Sequence, residues 1–183
     1  MQLIQSSGLS LGLVAGLLLV SPAAIMAQPS VPEGNGPSVL STSGRLTEAN
    51  VLAMMEKLTQ AEKQKDVATL VSILAPYAIS EVTVESQGKK LTQAVEGRQA
   101  HQELLQKTYA NRTREETLNE RLKVRITPDG QLAIVTRDSL ETFSTQGGQN
   151  LIGLSRDTIY FAWLDNQPKV IAVKTEGWLE ERP

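Results

Sequence analysis

The chain has 183 residues, enough for one domain with a hydrophobic core of its own. Its 18 basic and 20 acidic side chains leave a formal net charge of −2 at pH 7, so no excess positive charge is present to hold nucleic acid. The absence of cysteine excludes disulfides, thiolate catalysis and thiolate metal sites. We therefore expect a single folded domain whose partners do not include nucleic acid.

Residues 1–27 have the pattern of a secretory signal peptide. No charged side chain occurs before Glu33, and an apolar run from Leu9 to Val20 precedes small residues that end at Ala27. This run is too short to span a bilayer comfortably, which favours cleavage after Ala27 over anchoring. The basic start typical of such peptides is missing, and an uncleaved membrane tether stays the alternative. We predict an exported protein, periplasmic or secreted, with no stable membrane insertion after cleavage.

Residues 28–44 are rich in Pro, Gly and Ser and predict a flexible linker, so the folded domain is expected over residues 45–183. From Thr47 onward apolar residues recur at helical spacing, which predicts a first helix with Thr47 as its N-cap. Asp66 is positioned to cap a second helix that Pro76 ends. The two helices are expected to form an antiparallel pair.

Beyond these helices the pattern alternates between strands and one further helix. Residues 79–86 and 91–95 flank a Gln-Gly-Lys turn and predict a short hairpin, and the stretch from Arg98 to Arg112 predicts a third helix. Residues 116–179 then contain four alternating segments joined by short turns. These segments predict a four-stranded antiparallel meander, and the whole chain an α+β domain.

Three features carry a resemblance to a known family. They are the segment from Asp66 to Pro76 before a Val- and Thr-rich strand, the Glu96-Gly97-Arg98 step into the third helix, and the closing strands. In this order they resemble the nuclear transport factor 2-like superfamily, particularly its polyketide-cyclase-like branch, over about residues 46–180. The resemblance implies three helices packed in the concave face of a strongly curved, mainly antiparallel, cone-like sheet around a pocket. Members include isomerases, dehydratases and non-catalytic modules, so the fold leaves the function open.

Side-chain parity through the turns predicts what each face of the sheet carries, because directly opposite residues share a face. We pair Ile126 with Leu132 across the first turn of the meander. Glu120 then meets Asp138, and the next turn places Asp138 opposite Asp157. These three carboxylates are expected on the helix-covered face, beside an apolar set: Leu122, Val124, Ile126, Leu132, Ile134, Ile159, Phe161 and Trp163.

The opposite face is expected to be basic and polar. It also carries an apolar patch through which a homodimer is predicted to form: Val135, Phe143, Leu154 and Tyr160.

The predicted carboxylate cluster has two interpretations. It can form the end of a pocket that binds an amine or a metal cation, or that supplies acid–base chemistry. It can equally lie in water where the sheet extends past the helices. A one-residue bulge would be enough to move a member to the other face.

The candidate site residues follow from these faces. His101 is the only histidine and shares a helical stripe with Leu104 and Leu105, so it is a candidate for proton transfer together with Asp138 or Glu120. One histidine also excludes a histidine-rich metal site, and neither a metal nor a bound cofactor is expected. Three further residues are candidates for ligand contact: Asp157, Trp163 and Tyr109.

We predict that the domain binds a small ligand or a protein partner and is not catalytic. One alternative is a pocket enzyme of the isomerase or lyase type, and another is a structural oligomerisation module. An enzyme requires Asp138 and His101 to meet in one cavity, and a binding protein requires only the cavity.

Overall fold

The computed structural model describes residues 44–145 and 147–181, with only the backbone of residues 112–115. The predicted signal peptide, residues 1–27, and all of the predicted linker except Gly44 lie outside the described residues. Among the helices of the described part, none is long and apolar enough to cross a membrane.

The helices begin where capping side chains are available. The Thr47 hydroxyl accepts a hydrogen bond from the Asn50 N–H at 3.3 Å, and the Asn50 side chain accepts one from the Thr47 N–H at 2.9 Å. Asp66 caps the second helix and accepts from a backbone N–H in its first turn at 3.0 Å. Both predicted caps are confirmed. The helices are α1 Glu48–Lys63, α2 Val67–Ile73 and α3 Gly97–Ala110.

The second helix ends earlier than predicted. It stops at Ile73, because the chain is already extended at Leu74 and runs through Pro76 as a strand. Two cations bind carbonyl groups at this helix end. Arg98 donates to the Leu74 carbonyl at 2.7 and 3.0 Å, and the Lys169 ammonium donates to the carbonyl of Ser72 at 2.6 Å. Cations at a helix C-terminus are favourable, so these contacts tie α2 to α3 and to the sheet.

Six strands form one sheet. Both the predicted hairpin and the predicted antiparallel meander are confirmed. The first strand also pairs in parallel with the last, which joins the hairpin to the meander and gives the order β2-β1-β6-β5-β4-β3. The strands are β1 Leu74–Ser86, β2 Lys89–Glu96, β3 Arg112–Ile126, β4 Leu132–Thr145, β5 Asn150–Leu164 and β6 Gln167–Glu181.

The three helices cover one face of this sheet, which we call the inner face. Apolar side chains from α1 and α2 meet apolar side chains of the strands there, and their burial is the main source of stability. The fold is therefore the predicted α+β arrangement of helices against a mainly antiparallel sheet. Its principal buried cluster contains Leu46, Val51, Met54, Met55, Ile73, Leu74, Ala75, Ala78, Ala133, Val135, Ile159, Phe161, Leu164 and Val170.

The predicted strand register is wrong by one residue on each side of β4. Ile126 pairs with Ala133, and Ile134 lies opposite Tyr160. The reason at the first turn is Thr127, whose N–H donates to the Leu132 carbonyl at 2.9 Å and whose hydroxyl accepts from the Leu132 N–H at 3.0 Å. These bonds place the turn one residue further along β4. Together the two errors displace β3 relative to β5 by two residues, so both of these strands keep their predicted faces and β4 alone is turned over.

This correction changes the composition of both faces. Arg137 and Ser139, expected outside, are buried on the inner face, and Asp138 is on the outer face. Leu132 and Ile134 leave the predicted apolar face for the same reason. Half of the predicted dimer patch is also wrong, because two of its members are core residues: Val135 and Phe143.

Candidate functional site

A cavity of about 90 Å³ lies between the helices and the inner face. Such a volume exceeds the space of one water and is smaller than the usual drug-sized pocket. All three helices and four of the strands, β1, β4, β5 and β6, contribute to its walls. The lining residues are Leu58, Glu62, Leu70, Leu74, Ser80, His101, Leu105, Tyr109, Arg137, Asp157, Ile159, Val170, Val173 and Thr175.

One end of the cavity is formed by a polar row across three strands. Arg137, Asp157 and Thr175 lie directly opposite one another on β4, β5 and β6. Arg137 donates through Nε and Nη2 to one oxygen of Asp157, both at 3.1 Å. The Thr175 hydroxyl donates to the other oxygen at 2.7 Å. Antiparallel pairing thus fixes a buried charge pair at this end of the cavity.

Two more carboxylates approach the same guanidinium. Glu62, near the end of α1, accepts from Arg137 Nη1 at 3.2 Å, and an oxygen of Glu120 on β3 lies 4.0 Å from Arg137 Nε. The side chains of Asp157 and Glu120 are buried, and that of Glu62 is 17% exposed. Among the side chains that the structure describes, Arg137 therefore lies within 4.0 Å of three acidic groups in a place that water barely reaches.

Burial and charge act against each other in this cluster. Burial raises the pKa of Asp157, although Arg137 and the Thr175 hydroxyl oppose that change. Burial alone would lower the pKa of Arg137, but Glu62 and Asp157 outweigh it and raise that pKa further above its usual range. The guanidinium therefore stays charged at any pH at which the protein folds.

A second polar group, on α3 and β1, also lines the cavity. His101 on α3 contacts the Gly97 carbonyl through Nδ1 at 2.6 Å and the Ser80 hydroxyl through Nε2 at 2.8 Å. A carbonyl can only accept, so Nδ1 carries the proton and Nε2 accepts from Ser80. Burial lowers the pKa of His101, although the Gly97 carbonyl opposes this, so the neutral ring is favoured.

The structure places the predicted site residues in three groups. His101, Asp157 and Tyr109 line the cavity, and Glu120 lies behind it beside Arg137. Their predicted roles stay predictions.

Two candidates lie elsewhere. Asp138 is on the outer face, where Arg156 donates to it at 2.7 Å and where hydrogen bonding to that partner lowers its pKa. The meeting of Asp138 with His101 that the enzyme alternative requires does not occur, because the register of β4 differs by one residue from the predicted one. Trp163 packs against the main core and is not a cavity wall.

Four polar cavity residues were not identified from the sequence. Arg137 was assigned to the wrong face, and Ser80 and Thr175 look like ordinary strand residues. Glu62 sits seven residues after Met55, on the apolar stripe of α1, which is the one signal that could have indicated it. In the described part of the chain, no group of three or more histidine or acidic side chains is arranged to hold a metal ion.

Comparison with known proteins defines the fold. No family model matches the chain, and no curated protein sequence matches it. Solved structures do. The hexachlorocyclohexane dehydrochlorinase LinA-type3 from Novosphingobium barchaimii is similar at a TM-score of 0.58 and 12% identity, over 73% of this chain and 88% of that chain.

Two further solved structures are similar in fold to this chain. A ketosteroid isomerase-like protein from Erwinia carotovora has a TM-score of 0.53 and 10% identity, over 70% of this chain and 94% of that one. A protein of the NTF2-like family from Streptomyces avermitilis has a TM-score of 0.52 and 15% identity, over 70% and 93%. The chain therefore has the nuclear transport factor 2-like superfamily fold, as its order of elements predicted.

Proposed function

We propose that the domain binds a small, mainly apolar molecule in the inner cavity and does not transform it. The observation that carries this proposal is the cavity itself, whose accessible wall is mainly aliphatic and includes a small number of polar groups. Specific small-molecule sites have this composition, because apolar walls supply affinity and a few polar groups fix orientation. A non-catalytic role fits the hydrogen bonding, since His101, Asp157 and Thr175 are already engaged with protein partners.

A cavity-filling variant tests the binding site. We expect fragment-sized alcohols, amines and aromatic rings to give saturable shifts in the NMR spectrum of the wild-type domain. Leu105→Phe places extra volume in the cavity and is expected to abolish those shifts. Leu91→Phe is the matched control, because Leu91 is exposed on β2. Binding that survives in a folded Leu105→Phe protein would place the site elsewhere.

We also propose that this binding occurs outside the cytoplasm, after cleavage following Ala27. The uncharged, apolar start of the chain supports export. Intact-mass measurement of the protein from the native host checks the proposal. The expected mass corresponds to a chain that begins at Gln28. A full-length chain in the membrane fraction would support the uncleaved tether instead.

A second candidate is a proton-transfer enzyme of the isomerase or lyase type. It is favoured by one observation: His101 and Asp157 line the same cavity, and their pKa values move in opposite directions, the histidine down and the carboxyl up. Such pairs can divide the roles of base and acid. The similar structures include a dehydrochlorinase and an isomerase-like protein. It ranks second because both Asp157 oxygens accept hydrogen bonds, the pattern of an ionised carboxylate.

A generic proton-abstraction substrate separates the two candidates. Nitrobenzisoxazole opens to a coloured phenolate when a base removes its carbon-bound proton. An enzyme should accelerate this reaction and lose about tenfold or more of its rate in His101→Gln. The variant Asp138→Asn is the control, since Asp138 lies on the outer face. Equal rates for wild type and His101→Gln would remove the enzymatic candidate.

A further inference from the structure

The Ser80 hydroxyl is held in a fixed position at the wall of the inner cavity. Ser80 lies on β1, an interior strand of the sheet, and is paired with Val95 on β2 and with Val173 on β6. The residue is only 2% exposed to bulk water, yet it belongs to the cavity wall. A small molecule in the cavity would therefore meet a hydroxyl group whose backbone is fixed from both sides.

His101 is placed to act as a base toward that hydroxyl. Its Nε2 lies 2.8 Å from Ser80 Oγ, and its Nδ1 donates to the Gly97 carbonyl at 2.6 Å. Because a carbonyl can only accept, the ring proton is on Nδ1, and the Nε2 lone pair is directed at the Ser80 proton. Burial lowers the pKa of His101, so the neutral ring that can accept this proton is the form present near neutral pH.

This geometry is that of an activated nucleophile, which needs a base within hydrogen-bonding distance and a third group that orients the base. The third group here is the Gly97 carbonyl, which also favours the protonated imidazole that would form during a reaction. Two other buried serines differ, because Ser139 and Ser155 contact each other through their hydroxyls at 3.0 Å. The chain has one histidine, and its Nε2 contacts Ser80, so activation by an imidazole is confined to that serine.

We infer that Ser80 is a nucleophile that takes an acyl group from a small activated acyl donor, an ester or thioester with a good leaving group, bound in the inner cavity. Ser80 Oγ attacks the acyl carbon while its proton moves to His101 Nε2. The bond from the acyl carbon to the leaving group then breaks, and the leaving group departs with the electron pair and takes up the proton from the imidazolium. The acyl group ends as an ester on Ser80, and His101 is neutral again.

This inference goes beyond the proposed binding function and does not conflict with it. A ligand without an activated acyl group offers Ser80 no bond to break and is bound unchanged. The inference therefore adds a modification site to the wall of the binding cavity.

Acetylation by p-nitrophenyl acetate tests the inference, because this ester carries a small acyl group and releases a coloured phenolate. Near neutral pH we expect the folded domain to gain an acetyl group on Ser80, located by peptide mass spectrometry. Ser80→Ala should remove that modification, and His101→Gln should slow acetylation of Ser80 by about 100-fold, the usual effect of losing a general base. Ser139→Ala is the matched control: Ser139 is also buried on the inner face, and the variant should be acetylated on Ser80 as fast as the wild type.

A second pair of variants leaves the serine and the histidine intact. Leu105→Phe fills the cavity and should protect Ser80 from acetylation, whereas Leu91→Phe, at an exposed site on β2, should not. Wild-type protein that is acetylated only on other groups would overturn the inference. Acetylation of Ser80 at the wild-type rate in a folded His101→Gln or Leu105→Phe protein would do the same. Each of these results leaves the proposed binding function to its own NMR titration, so the two can fail separately.

Discussion

Arg137 is a charged group held almost entirely out of water, with 5% of its side chain exposed. Taking an ion out of water costs several kcal/mol, and close partners must offset that cost. Asp157 does so from the neighbouring strand and Glu62 from α1. The guanidinium thereby links the sheet to the first helix, so its removal would leave acidic groups buried together.

We therefore expect Arg137→Met to lower the free energy of unfolding by about 3–5 kcal/mol at neutral pH. Part of that loss should disappear in mild acid, because burial raises the pKa of Asp157 and its protonation relieves the repulsion. Urea denaturation at pH 7 and pH 5 measures both effects. Arg156→Met is the control, because the Arg156–Asp138 pair is exposed and contributes little. Equal losses in the two variants would contradict the buried cluster.

His101 is expected to make stability depend on pH. Its pKa in the folded protein lies below the ordinary value of 6.5, so the unfolded chain takes up a proton first as pH falls. The contribution of His101 to the free energy of unfolding is therefore complete above about pH 6.5. It decreases below that pH, by at most about 1.4 kcal/mol per pH unit. Asp157 has a raised pKa and acts in the opposite sense, favouring the folded state at low pH.

A comparison of variants isolates the histidine from the other groups. The stability of the wild type relative to His101→Gln should fall between pH 7 and pH 5, since Asp157 and the remaining carboxylates are common to both proteins. Denaturation curves at several pH values provide the measurement. A difference that does not change over this range would mean that the imidazole titrates as it does in water.

At the scale of elements, the step from β2 into α3 depends on one backbone conformation. Gly97 begins the helix with φ of +76°, a left-handed value that costs other residues about 1–2 kcal/mol. The carbonyl of the same residue binds His101 Nδ1, so the turn also orients the imidazole in the cavity. An added Cβ at Gly97 would meet only the Pro76 carbonyl, at an unstrained 3.6 Å.

The cost of Gly97→Ala is accordingly expected to be conformational, about 1–2 kcal/mol in the free energy of unfolding. Gly147→Ala provides the comparison, because Gly147 does not have a positive φ and its added Cβ would also have a nearest contact at 3.6 Å. Thermal and urea unfolding of both proteins check the expectation. An unchanged stability for Gly97→Ala would argue against the left-handed turn.

At the scale of the whole molecule, the outer face of the sheet is not covered by any described element. Leu154 and Trp178 lie opposite each other on β5 and β6 and are 49% and 45% exposed. Paired apolar side chains on an open sheet face commonly mark an interaction surface. The predicted dimer patch thus keeps two of its members, Leu154 and Tyr160, and Trp178 takes the place of the two buried ones.

We expect the domain to self-associate through this patch at submillimolar concentration. Leu154→Glu should shift the sedimentation profile to that of a monomer, because it would bury charge at the interface. Leu91→Glu, at another exposed site on β2, should not. A wild-type protein that sediments as a monomer at every concentration would refute the dimer.

Patterns among residues close together in the sequence were sufficient to predict the helices and strands and their order. Thr47 and Asp66 cap helices because their side chains bind nearby N–H groups, an interaction that spans only three residues. The alternation and turns of the meander are equally local, which is why the order of elements identified the fold. His101 was placed in the cavity because it shares a stripe with Leu104 and Leu105, and α3 keeps that stripe buried.

Only the tertiary structure decided which side of β4 faces the helices. Both sides of the first half of β4 are apolar, so the alternation of apolar and polar residues did not indicate which side is buried. The turn at Thr127 shifts β4 by one residue from the predicted register, which puts Arg137 on the inner face in place of Asp138. A buried arginine is favourable only when carboxylates from distant segments surround it. Glu62 and Asp157 meet Arg137 across 75 and 20 residues of chain. Contacts between residues so far apart in sequence depend on how the helices and strands pack. The arginine–carboxylate cluster of the cavity could therefore be identified only from the tertiary structure.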